Sequence, residues 1–211
     1  MIGLATAIRN NSIQGIFDAI DAGAGAGKLK LYTGARPATG AAITNQILLG
    51  TVPCSDPCGT VAAGVGTFAA FTDDENSAAD GRAAWARAED SADSFCCDLT
   101  VGFKVASTTS LAIGLGSKTF TVATGKLIDA GETVKAVSTA TGKWMSGTVT
   151  SYNSGTGELV IDVTATSGTG TLADWGTIVI PATADIVLVS REITAGNILR
   201  ITSGTITDGN G

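Results

Sequence analysis

At 211 residues, 44% of them apolar and 15% charged, the chain can hold one large β domain or two small ones, each with its own core. It has no histidine, which removes the commonest general base and metal ligand and excludes Ser/His/Asp and Cys/His nucleophiles in their usual form. A net charge of −6 without any Lys/Arg cluster argues against a nucleic-acid surface, and no apolar run approaches the roughly 20 residues of a membrane span.

The start MIGLATAIRNNS lacks a basic region followed by an apolar core and a cleavage site, so the chain is expected to stay in the cytosol unless a larger assembly carries it out. Ile13, Ile16, Phe17 and Ile20 fall at helical spacing, preceded by Leu4 and Ile8, and predict a helix over about Ala5–Ala22. GAGAG at Gly23–Gly27 ends it. In KLKLYTG, Leu29 and Leu31 alternate with Lys28, Lys30 and Tyr32, the period of a half-buried strand. Gly34–Ala42 reads as loop around Pro37 and Gly40, and further strands are expected at Ile47–Val52 and Val65–Phe71, with Asp73–Gly81 a polar loop. RAAWARAED is ambiguous, since alanine and arginine favour a helix while two flanking loop signals suit a strand. Phe95–Val101 and Ile198–Ile206 alternate as strands, the latter with Ile198, Arg200 and Thr202 on one side and Leu199, Ile201 and Ser203 on the other.

The imbalance of charge is local. Eight acids (Asp73, Asp74, Glu75, Asp80, Glu89, Asp90, Asp93, Asp98) stand against Arg82 and Arg87, and the rest of the chain is neutral. Such a run is either a solvated acidic edge or a surface that docks a basic partner.

The helix, the glycine turn, LKLYTGARPAT, ITNQILLGTV, RAAWARAEDSADS, DLTVG and the closing ITAGNILRITSGTIT together resemble a module common among uncharacterised structural proteins of tailed bacteriophages. The resemblance spans about Met1–Val105 and Ala184–Asp208 and implies that RAAWARAED is a strand ending in a turn. In that family the final strand pair follows DLTVG closely; here about 75 residues intervene, enough for a small domain. The insert, a run of strands from about Thr109 to Pro181, is similar to a β module repeated in phage fibre-type proteins. Its Ser154–Gly157 turn between GTVTSY and ELVIDV is a strong hairpin signal. The expected fold is mainly β: a β-sandwich or jelly-roll-like host domain with one N-terminal helix, residues 1–106 plus 182–211, and an inserted small β-barrel-like domain, residues 107–181, of five or six strands in a compact barrel or sandwich. An exposed strand-to-strand turn accepts a domain whose termini lie close together.

The resemblance implies a non-enzymatic structural subunit of a tailed phage particle, a decoration or cement protein on the outer surface of the head. Its expected partners are the major capsid protein or other virion proteins and its own copies in a homotrimer. It would be assembled in the host cytoplasm, without cofactor, metal, direct nucleic-acid or membrane contact. The alternative is a tail fibre or receptor-binding protein whose insert contacts a host surface glycan; an enzyme acting on surface polysaccharide is the weaker third.

Individual residues add little chemistry. Asp73, Asp74 and Glu75 are neighbours in one loop, poorly placed to straddle a glycosidic bond, and DDENSAADG does not fit an EF-hand spacing. GAGAG follows a helix and precedes a strand, the reverse of a dinucleotide loop. Cys54, Cys58, Cys96 and Cys97 depart from the family pattern and are candidates for disulfides, for free buried thiols or for metal ligation. In a strand, Cys96 and Cys97 point to opposite faces, so at most one readily meets Cys54 or Cys58, leaving the other to link subunits. Trp85 reads as core, whereas Trp144, Tyr152 and Trp175 of the insert are either core or glycan contacts.

Overall fold

The computed structural model describes residues 4–207; the ends of the split module, 1–3 and 208–211, lie outside the described residues. The chain is mainly β with one helix and divides into two compact units, Met1–Val101 with Asp185–Gly211 and Gly102–Ala184, beside the boundaries of 106/107 and 181/182 expected from sequence.

The first unit begins with α1 (Thr6–Ile20), which buries Ile13, Phe17 and Ile20 and leaves Ile8 exposed. Strands β1 (Lys28–Tyr32) and β2 (Leu48–Pro53) follow, then the hairpin of β3 (Gly59–Ala62) and β4 (Val65–Phe68); β4 falls within the strand expected at Val65–Phe71, whereas β3 lies in the segment read from sequence as a break between strands. The helix rests on this hairpin. A Cβ at Gly66 would stand 2.5 Å from Ile13 and 3.0 Å from Phe17, and one at Gly59 2.7 Å from Phe17, so the absence of side chains there lets the helix approach.

After the short β5 (Gly81–Arg82) come β6 (Trp85–Glu89) and β7 (Phe95–Ser107). The β6 strand settles the ambiguity of RAAWARAED. It pairs antiparallel with β1 on one side and β7 on the other, and all five of its residues are buried. Ladder bonds along both edges and cover on both faces override the helical preference of Ala and Arg. One face sets Ala86 and Ala88 into the core with Leu29 and Leu31, while loop residues 40–41 fold over the other, where Arg87 Nη1 donates to Ala41 O at 3.0 Å.

Within the second unit lie β8 (Leu111–Ala112), β9 (Gly116–Thr121), β10 (Thr133–Val137), β11 (Trp144–Asn153), β12 (Glu158–Ser167), β13 (Thr171–Leu172) and β14 (Trp175–Ile180). The end of β7, β14, β10, β11, β12 and β9 make an antiparallel sheet in that order, and β8 pairs with β13 apart from it. The β11–β12 hairpin turns at Ser154–Gly157, where Gly157 has φ +75° and a Cβ would lie 2.1 Å from Val122 O. A barrel requires the first and last strands to meet in register, but among the described residues β9 pairs only with β12. The sheet therefore stays open and sandwich-like, and the barrel-like closure expected for the insert is not formed. Its core is its own, built on Phe120, Met145, Leu159, Ile161, Trp175 and Ile178.

The chain returns to the first unit through β15 (Ile186–Leu188), β16 (Glu192–Ile193) and β17 (Ile201–Thr207). β17 pairs with both β15 and β4. Its alternation is not continuous: Leu199 and Ile201 are buried, and then Gly204 and Ile206. Val187 opposes Ser203 while Leu188 opposes Ile201, so Thr202 is an extra residue and the bulge moves the buried positions from odd to even.

Candidate functional site

The acidic run is mostly engaged within the protein. Asp73 accepts from Arg200 Nε at 2.8 Å, Asp74 accepts from Thr51 N at 2.8 Å and Asn76 N at 3.1 Å, and Asp80 accepts from Ala195 N at 2.8 Å. Glu89 and Asp93 share Lys30 Nζ, each at 2.6 Å, and Asp90 accepts from Ala92 N and Ser94 N, both at 2.8 Å. Asp98 holds Arg87 with a two-pronged bond at 2.8 and 3.2 Å, in a pair whose side chains are 1% and 7% exposed. The Lys30 and Lys28 ammonium groups keep Asp93 far below the usual carboxylate range, and the Ser94 and Ala92 amides lower Asp90. Glu75, Asp80 and Asp93 stay exposed, as a solvated edge would have them, while Glu89 and Asp90 are buried, and most of these carboxylates cap turns or neutralise cations. Among the described residues no group of three or more acids or cysteines is placed to hold a metal ion.

All four cysteines are free within the chain, which goes with the buried-thiol reading and not with a disulfide inside one subunit. Cys54 follows β2 and Cys97 lies in β7, the outer strands of the order β2-β1-β6-β7. The assumption that Cys96 and Cys97 face opposite ways also fails. Ala88 opposes Cys97 and Glu89 opposes Phe95, so Cys96 is the extra residue of a bulge, and both thiols pack against the same core. They gather near the end of α1, where Cys58 Sγ donates to Phe17 O at 3.7 Å and Cys96 Sγ to Ala19 O at 3.3 Å. Burial, with Asp21 adding to it, pushes Cys54 up to about 12 and Cys58 higher still, and burial with Cys96 pushes Cys97 up to about 12. These are protonated thiols, poor as nucleophiles.

The three aromatic candidates of the insert do not converge. Trp175 is fully buried, its ring edge-on to Phe120 at 5.6 Å and its Nε1 donating to Thr109 O at 3.1 Å, so it has no face for a glycan, and that assignment is corrected to core. The Tyr152 hydroxyl donates to Ala123 O at 2.6 Å and accepts from Lys126 N at 3.3 Å, tying down a turn. Trp144 is half-buried at the other end of β11, with Lys135 Nζ 4.7 Å from its ring centre. Eight residues of strand separate it from Tyr152, some 26 Å at about 3.3 Å per residue. Trp144 and Tyr152 are both half-buried, with Tyr152 packed partly on the core.

The polar residues that close the base of the insert escaped the sequence reading. Asp185 Oδ2 accepts from Thr100 N at 2.8 Å and from Thr100 Oγ1 at 2.7 Å, and Asp185 N donates to Thr100 O at 3.1 Å. Thr100 stands two positions before the first residue of the inserted unit and Asp185 immediately after its last.

No protein-family model, no curated protein and no solved structure matches the chain.

Proposed function

We propose that this chain is a non-enzymatic structural subunit of a tailed phage particle, a decoration or cement protein on the outer surface of the head that binds the major capsid protein. The observation that carries the reading is the splicing of a complete antiparallel unit, Gly102–Ala184, into one connection of another, with Thr100 and Asp185 clamped at the junction. Such nesting gives two independently cored surfaces in one chain, which suits a protein that works by contact, and the sequence resemblance supplies the setting. The subunit forms a homotrimer. The test is quantitative mass spectrometry of purified particles: hundreds of copies support a head protein, a handful moves it to the tail, and absence from particles ends the proposal. Sedimentation of the isolated chain as a monomer at micromolar concentration, with no assembly in particles, counts against the trimer.

The half-buried Trp144 favours one second reading, a tail protein whose insert touches a host glycan. Binding on a glycan array that disappears in a folded Trp144→Ala variant is the result that would establish it.

A further inference from the structure

Within the first unit the sheet opens between β4 and β17 and closes again. The strands pair from Thr205↔Thr67 to Thr207↔Val65, and at the other end Asp74 N donates to Leu199 O at 3.1 Å while Leu199 N donates to Asp74 O at 2.8 Å. Between these two pins the chain from Ala69 to Thr72 turns away from β17 and is held there. Ala69 N donates to Cys58 O at 2.8 Å, Thr72 N to Pro53 O at 3.0 Å, and the Ser55 hydroxyl bonds Ala70 O. The result is a preformed open groove of about 610 Å³, inside the range of ~300–1,000 Å³ for small-molecule clefts.

Its lining is mixed. Thr67, Ser203 and Thr205 line it with hydroxyls that have no side-chain partner among the described residues, and Phe71, whose ring leans on Phe68 at 5.4 Å, lines it too. Arg200 directs both Nε and Nη2 to a single oxygen, Asp73 Oδ2, at 2.8 and 2.5 Å. That leaves Asp73 Oδ1 as a further acceptor and Arg200 Nη1, on the far edge of the guanidinium, as a further donor, with Glu75 also in the lining.

We propose that this groove is a saccharide-binding site for a neutral sugar of a few rings. Sugar hydroxyls each donate and accept, which matches a lining that holds both carboxylate oxygens and guanidinium N–H groups, and the C–H face of a sugar ring suits an aromatic side chain. Two carboxylates against one guanidinium disfavour an anionic sugar. The inference goes beyond the proposed particle role and does not use Trp144, so either can fail alone.

The test is saturation-transfer NMR on the full chain with lactose, cellobiose, maltose and chitobiose as probes, followed by titration. At least one of the four is expected to bind saturably. Ala70→Trp, which fills the groove and leaves the ion pair in place, and Arg200→Ala are each expected to weaken it about tenfold or more, with Trp144→Ala unchanged. No transfer from any of the four sugars, or undiminished binding in Ala70→Trp, overturns the assignment. Binding of a lysine-containing tetrapeptide in the groove with no sugar binding overturns it equally, in favour of a peptide site.

Discussion

Arg87 is a buried charge held on several sides within the first unit. Its guanidinium lies 4.9 Å from the Phe95 ring centre and 5.4 Å from that of Trp85, which in turn stacks on Tyr32 at 4.8 Å, and Asp98 grips it from below. Removing one partner of so buried a pair leaves the other uncompensated, so Asp98→Ala is expected to cost roughly 3–5 kcal/mol, read from urea denaturation. A loss below about 1 kcal/mol would mean that water reaches the guanidinium as well as the carboxylate does. Titration behaves in two opposite ways. Asp93, Asp90, Asp73 and Asp174 sit below their ordinary range through, respectively, Lys30, the Ser94 amide, Arg200 and the Ala140 amide. A lowered carboxylate stabilises the fold above the unfolded value of about 3.9 and loses that effect as pH falls through its folded value. The melting temperature should therefore be flat near neutrality and drop below about pH 4, with a shallower drop in Asp93→Asn. The thiols are raised, so stability should fall as pH climbs from about 9 towards 12, and Cys54→Ala should blunt that loss. At pH 8, iodoacetamide followed by mass spectrometry should find half-buried Cys96 modified first and buried Cys58 last.

At the scale of the element, the junction of α1 with the β3–β4 hairpin depends on a floor without side chains. Gly66→Val would drive a branched side chain into Ile13 and Phe17, and it should release the helix while leaving the β1–β2–β6 pairing in place. Hydrogen exchange would show α1 amides losing protection while β1 amides keep theirs; equal loss in both would mean the helix and sheet unfold as one. The same elements show what was readable from sequence. The α1 spacing and the alternation of Leu29 and Leu31 with the two lysines of β1 were plain because each has one buried face, whereas Tyr32, expected on the lysine side, is buried against Trp85. For β6, buried on both faces, periodicity is uninformative, and the pointers to a strand were the flanking loop signals and the family resemblance. The phase of β17 beyond Thr202 and the facing of Cys96 both turn on bulges, where one extra residue shifts every later position and no local composition marks the place. The groove was equally hidden, since Asp73 and Arg200 lie 127 positions apart.

The nesting of one unit in another makes a prediction about the whole chain. Each unit has a separate core, the first on α1 with β1, β2 and β6 and the second on β9–β12 and β14. The two cut points are already adjacent, because Asp185 N donates to Thr100 O at 3.1 Å. Closing so short a gap costs little loop entropy, so replacing Gly102–Ala184 by a turn of about three residues should leave the first unit folded. Strand-type circular dichroism, a single cooperative unfolding transition and dispersed amide resonances are the expected readings. Asp185→Ala in the full chain supplies the comparison: losing hydrogen bonds to a charged group should cost about 1.5–3 kcal/mol in the first unit and leave the second unchanged. If the shortened chain is unfolded while Asp185→Ala is nearly neutral, the second unit is serving as the scaffold of the first. The insertion would then be an integral part of one fold, and the view of two independently cored contact surfaces would have to be given up.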